Sequence, residues 1–122
     1  MTANEKSQAV VKALEDKKAS NIDVIDVKER TSLSEYFVIA SCQSTVQVRA
    51  SADEVEEQLE KEGINVRHKE GYSTGSWVLM DYGDVVVHVM QQEMREFYGI
   101  ERLWDDAGKI LTENKKEVNR NG

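Results

Sequence analysis

Trp77-Val78-Leu79-Met80-Asp81-Tyr82-Gly83-Asp84-Val85-Val86-Val87-His88-Val89-Met90 decides the fold. Two apolar runs flank the two-residue step Tyr82-Gly83, whose glycine can take the positive φ of a tight turn between antiparallel strands. The stretch predicts a hairpin of Trp77 to Asp81 and Asp84 to Met90. Upstream, Gly71-Tyr72-Ser73-Thr74-Gly75 reads as a loop, and Asn65 to Lys69 as a short polar strand near an edge. Downstream, Gln92 to Tyr98 makes a short helix closed by Gly99, and Leu103-Trp104 precedes Asp105-Asp106.

Tyr36-Phe37-Val38-Ile39-Ala40 is continuously apolar, the pattern of a strand covered on both faces, and is placed centrally. Ile22 to Val27 alternates with one break of step and reads as a strand with one open face, followed by a polar loop from Lys28 to Glu35. Thr2 with Glu5 forms a capping-box pattern before a helix reaching about Ala19. Ser44 with Gln47 repeats that pattern before a second helix from Thr45 to Glu62, stopped by Gly63. The order α-β-β-α-β-β-β-α predicts an α/β domain with a mixed sheet of about five strands flanked by helices. Residues 1–108 form that domain, and the polar run 109–122 is expected to be a frayed tail.

With 122 residues, 39% hydrophobic and 32% charged, the chain fits one globular domain and excludes a two-domain enzyme. Its net charge of -7 disfavours non-specific binding to polyanions. No apolar run approaches the ~20 residues of a membrane span, and no signal segment opens the chain, so a soluble, cytoplasmic protein is expected. One cysteine, Cys42, forms no internal disulfide, and His68 and His88 alone complete no zinc site.

Asp81 and Asp84 bracket the turn and could hold a divalent cation for nucleotidyl transfer. Aspartate is also a common turn residue, and a spacing of three splits the pair across a strand unless the turn rejoins it. His88 could be a general base and Cys42 a nucleophile, yet each has a commoner structural use in a sheet. No catalytic constellation stands out, and no cofactor is expected.

The charge distribution says more. Asp53 to Glu62 holds six acids and one lysine, and Asp81 to Asp106 holds seven acids and two arginines. In the second segment the acids are interleaved with Tyr82, Phe97, Tyr98, Leu103 and Trp104, with Trp77 just before them. Aromatic groups among carboxylates suit an interface for a basic protein partner. Phe97 and Leu103 are expected in the core. Trp77 and Tyr82 are expected as exposed anchors, Met80 as bordering them, and Asp81 and Asp84 as supplying charge.

Four stretches together resemble the ribosomal silencing factor S family, also called the Iojap family: Glu35 to Ala40, Gln47-Val48-Arg49-Ala50, Gly75 to Val89, and Arg95-Glu96-Phe97-Tyr98 through Leu103-Trp104-Asp105-Asp106-Ala107. The similarity spans roughly residues 5–108. Glu35 departs from the aspartate common before the Tyr-Phe pair but keeps the acid. The resemblance implies a nucleotidyltransferase-like fold without that activity. It also implies binding to the large ribosomal subunit through its protein fourteen, which hinders joining of the small subunit and represses translation when nutrients are short. Trp77, Met80, Asp81, Tyr82, Asp84, Tyr98 and Trp104 are the expected partner-binding residues, with no sequence-specific nucleic-acid contact and no membrane. A small nucleotide- or metal-dependent transferase using Asp81 and Asp84 is the alternative, and a homodimer is compatible with the edge strands.

Overall fold

The computed structural model describes residues 1–102; Leu103, Trp104, Asp105, Asp106 and the tail 109–122 lie outside the described residues. Helix α1 (Ala3–Asp16) starts where expected, because the Thr2 hydroxyl accepts from the Glu5 amide at 3.1 Å and the Glu5 carboxylate accepts from the Thr2 amide at 3.0 Å. It stops before Ala19. Lys18 turns left-handed at φ 66°, and the Ala19 amide donates back to the Leu14 carbonyl, a reversal that no glycine announces.

Strand β1 (Ser20–Asp26) begins two residues earlier than expected, and β2 (Tyr36–Cys42) extends the apolar run. The ladder is irregular between Ser20 and Asp23, with Asn21 at φ 49°, but regular from Asp23 to Asp26, so the broken alternation at Val24-Ile25 is a change of buried face: Ile22 packs on the helix-covered side and Ile25 and Val27 on the other. Helix α2 (Thr45–Lys61) is capped by the Ser44 hydroxyl on the Gln47 amide. The expected second capping box is only half formed. The Gln47 side-chain carbonyl accepts from the Gln43 amide, and its NH₂ donates to the carbonyls of Lys17 and Lys18, which ties the start of α2 to the end of α1. Gly63 takes φ 78° and ends the helix as predicted.

Strand β3 (His68–Glu70) is shorter than expected and shifted toward the C-terminus. The hairpin forms from β4 (Trp77–Asp81) and β5 (Val85–Gln91), closed by the Tyr82 amide on the Val85 carbonyl with Gly83 at φ 89°. Helix α3 (Gln92–Tyr98) ends at Gly99, which is left-handed as predicted.

The five strands make one mixed sheet in the order β1-β2-β5-β4-β3, with β2 and β5 parallel and the other pairs antiparallel. The centre belongs to β5. Strand β2 lies beside it and is covered on both faces as expected: Val38 and Ala40 pack under α1 and α2, while Ile39 is buried on the other side.

The two faces are covered unequally. On the first, Val10 and Leu14 of α1 and Val48, Val55 and Leu59 of α2 pack onto Val38, Val78, Met80, Val85, Val87 and Val89. On the second, the described residues supply only the short α3 and the turn at Ile100, over a small cluster of Ile25, Val27, Ile39 and Met90. Among the described residues, the rest of that face is only half-buried.

Candidate functional site

Period-two alternation sends Val78 and Met80 toward the helices, and Trp77, Leu79 and Asp81 to the open face. Register then lines up their neighbours. Leu79 pairs with His88 and Asp81 with Val86 on β5, while Phe37 pairs with Val86 across the parallel ladder. Trp77, Leu79, Phe37 and Val86 are all half-buried, which marks an apolar strip across the three middle strands. Rings continue it. Phe37 lies 5.3 Å from His88, Trp77 lies 6.0 Å from His88 and 5.4 Å from Tyr98, and Phe97 meets Tyr98 edge-on at 5.0 Å. Tyr98 is 52% exposed and Phe97 77% exposed. Phe97, expected in the core, is therefore a surface residue, because α3 is too short to bury more than one side.

At the turn end of the face, Thr31, Leu33, Ser34, Phe37, Arg67, Asp81, Gly83 and Val86 line an open cavity of about 400 Å³. Leu33 stands on its rim, 84% exposed. Two carboxylates share this face, Asp81 on β4 and Glu70 on β3, which pairs with Leu79; Glu93 and Glu96 are exposed on α3.

One expected anchor, Tyr82, and the residue expected to border the anchors, Met80, are not at this surface. Met80 is fully buried against α1 and α2, as its separation of three residues from Trp77 in a strand requires. Tyr82 is 3% exposed, because the turn folds its ring back into the helix-covered core. Burial there, with Glu56 and Glu60 nearby, pushes the phenol above its ordinary pKa. Its hydroxyl has no hydrogen-bond partner among the described residues. Tyr82→Phe is accordingly expected to melt no lower than the parent, since it removes a buried donor that stabilises nothing. A melting point lowered by several degrees would show that the hydroxyl has a partner.

Asp81 and Asp84 are also separated. The Asp81 carboxylate accepts from the Gly83 amide at 2.7 Å and shapes the turn, whereas Asp84 reaches the other way to Lys6 of α1 at 2.7 Å. Among the described residues no three His, Cys, Asp or Glu side chains gather as a metal site would need. Cys42 is buried, and that burial raises its thiol pKa, away from a reactive thiolate.

His88 is held as part of the wall. Its Nδ1 accepts from the Trp77 indole at 3.1 Å, so the neutral ring carries its proton on Nε2. Desolvation lowers its pKa to about 4, opposed by the nearby Glu101 charge. The folded value lies below the ordinary 6.5, so the unfolded chain binds the proton more readily. Stability from this residue is complete above about pH 6.5 and is lost as pH falls toward 4, to a total on the order of 3 kcal/mol. Urea titrations across that window should show the decline in the parent and a flatter profile in His88→Gln; parallel profiles would remove His88 as the cause.

Arg95 is the residue that sequence reasoning missed. It is 6% exposed, and its guanidinium donates to Asp23 Oδ2 at 2.8 Å, Glu101 Oε2 at 3.0 Å, Ser41 Oγ at 2.9 Å and the Asn21 carbonyl. This clasp fixes α3 and the following turn to the ends of β1 and β2, and so sets Tyr98 beside Trp77.

An apolar, ring-bearing sheet face suits contact with a partner, and comparison with known proteins identifies the family. The family described as "Ribosomal silencing factor during starvation" matches residues 1–122. The chain belongs to the ribosomal silencing factor family. A ribosomal silencing factor RsfS of Halalkalibacterium halodurans is 37% identical over 93% of this chain and 97% of its own length. That of Bacillus subtilis is 41% identical over 78% of this chain and 80% of its own. A crystal structure of a Chromobacterium violaceum protein superposes with a TM-score of 0.84 at 41% identity, covering 85% of this chain and 87% of that one. In this ribosomal silencing factor family member the half-buried strip of Trp77, Leu79, Phe37 and Val86 lies on the sheet face over which, among the described residues, only α3 and the turn at Ile100 pack. Among the described residues no helix is long and apolar enough to cross a membrane.

Proposed function

We propose that this protein binds the large ribosomal subunit through its protein fourteen, with the open sheet face as the contact, and thereby hinders joining of the small subunit without catalysing any reaction. The supporting observation is the half-exposed strip of Trp77, Leu79, Phe37 and Val86, extended by Tyr98 and Phe97, with Asp81 and Glu70 on the same face. An apolar centre supplies affinity once water leaves it, and acids around it favour a basic ribosomal protein over RNA. Trp77, Asp81 and Tyr98 remain partner contacts in this reading, while Asp84, turned to Lys6, contributes only to the long-range field. The setting is the cytoplasm, under nutrient limitation.

Steric blocking consumes nothing. Light scattering of mixed subunits should therefore show joining suppressed at stoichiometric protein with no nucleotide added. Suppression that required a nucleoside triphosphate would replace this reading with an enzymatic one built on Asp81.

A further inference from the structure

Loop 28–35 and the hairpin turn hold the cavity at the end of the open face in shape. The Ser34 hydroxyl donates to the Gly83 carbonyl at 2.8 Å, the Glu35 and Tyr36 amides both donate to the Asp84 carbonyl, and the Thr31 hydroxyl accepts from the Leu33 amide at 3.0 Å. The wall is set before anything binds. Its lining is apolar at Leu33, Phe37 and Val86, and Leu33 is left exposed on the rim.

Two charges of opposite sign flank that lining. Asp81 is half-buried on β4, with one carboxylate oxygen on the Gly83 amide at 2.7 Å. Arg67 precedes β3, and its backbone amide donates to the Asp81 carbonyl, so the two side chains reach the same cavity. The Arg67 guanidinium lies against Gly83, where a Cβ would come within 2.9 Å of its Cζ. Asp81 is committed to the turn. Arg67 is not: among the described residues its guanidinium makes no ion pair and no hydrogen bond. A planar, multi-donor cation set beside an apolar hollow and left without an acceptor is matched by a carboxylate.

We propose, resting on the reading of the open face as a ribosomal contact, that this cavity seats one large apolar side chain of the partner protein and that Arg67 pairs with a carboxylate next to it in the partner's chain. Continuity and charge single out that occupant. Phe37 and Val86 belong both to the cavity and to the strip, so a partner lying on the strip covers the cavity as well. Covering the guanidinium without an acceptor would cost affinity, so a partner that is basic overall carries an acid at this point. Arg67 across from Asp81 then fixes which way round the partner lies, because a reversed partner would bring like charges together.

Charge reversal tests the pairing by the sign of its effect. Arg67→Glu and Lys12→Glu make the chain more acidic by the same amount, and the long-range field of a basic partner favours both. Lys12 has a side-chain exposure of 77% and stands on α1, which packs on the other face of the sheet. Lys12→Glu should bind purified large subunits at least as tightly as the parent, whereas Arg67→Glu should bind about tenfold or more weakly and Leu33→Ser several-fold more weakly, each melting close to the parent. Isolated ribosomal protein fourteen should rank the four proteins in the same order. Arg67→Glu matching Lys12→Glu in affinity would overturn the pairing. A deficit of Arg67→Glu on subunits that vanishes on the isolated ribosomal protein would overturn it too, giving the cation to an RNA phosphate. If Leu33→Ser turned a self-associating parent into a monomer and left both affinities unchanged, the cavity would belong to a second copy of the chain. A parent without affinity for large subunits would overturn the reading of the whole face, and the pairing with it.

Discussion

Arg95→Ala is expected to lower stability by about 3 kcal/mol or more, because the variant keeps two carboxylates in a partly buried site and removes the cation that joins them. Asp23 and Glu101 have side-chain exposures of 32% and 16%, and both meet the same guanidinium within 3 Å. In a domain of this size such a loss should lower the melting temperature by about 10 °C or more. Arg95→Lys should recover only part of it, since a single ammonium cannot serve Asp23, Glu101, Ser41 and the Asn21 carbonyl together. The damage should concentrate at α3. Amide hydrogen exchange there should accelerate more than in β5, and subunit affinity should fall with the displacement of Tyr98. An Arg95→Ala protein melting within a few degrees of the parent would show that the clasp is incidental to the fold.

Leu79→Lys is expected to weaken binding to the large subunit by about thirtyfold or more, the loss typical of truncating or charging a central interface residue. Leu79 is half-buried in the middle of the strip, between Trp77 and Asp81, so a lysine there puts a charge where the partner must be desolvated. Its partial exposure lets the lysine ammonium stay in water in the free protein, and the melting temperature should change little. Trp77→Ala is a less clean probe. The indole donates to His88 and packs against the cluster beneath α3, so its removal should cost both affinity and stability. Comparing the two variants by affinity and by thermal melt separates contact from scaffold. Equal affinity of Leu79→Lys and the parent would move the contact away from this face.

The element order could be read from the chain because each element carries its own local signal: a cap at Thr2 and Ser44, apolar continuity at Tyr36 to Ala40, a turn glycine at Gly83. Which face of the sheet stays open was not legible, since it depends on where α1 and α2 come to rest. That one missing fact misplaced Met80 and Tyr82, although alternation alone already put Trp77 and Met80 on opposite sides. Phe97 was misplaced for a related reason: seven residues of α3 give too little periodicity to tell its buried side from its exposed one. Arg95 could not be found from sequence at all. Its acceptors come from Asn21, Asp23, Ser41 and Glu101, which only the folded sheet brings together.

Co-sedimentation of the purified protein with separated ribosomal subunits, repeated at rising salt and with Leu79→Lys in parallel, tests the central claim most directly. The account predicts that the parent travels with the large subunit and not the small one, that added salt weakens the complex by screening the acidic rim, and that Leu79→Lys stays at the top of the gradient. A parent protein found equally with both subunits, or with neither, would contradict it.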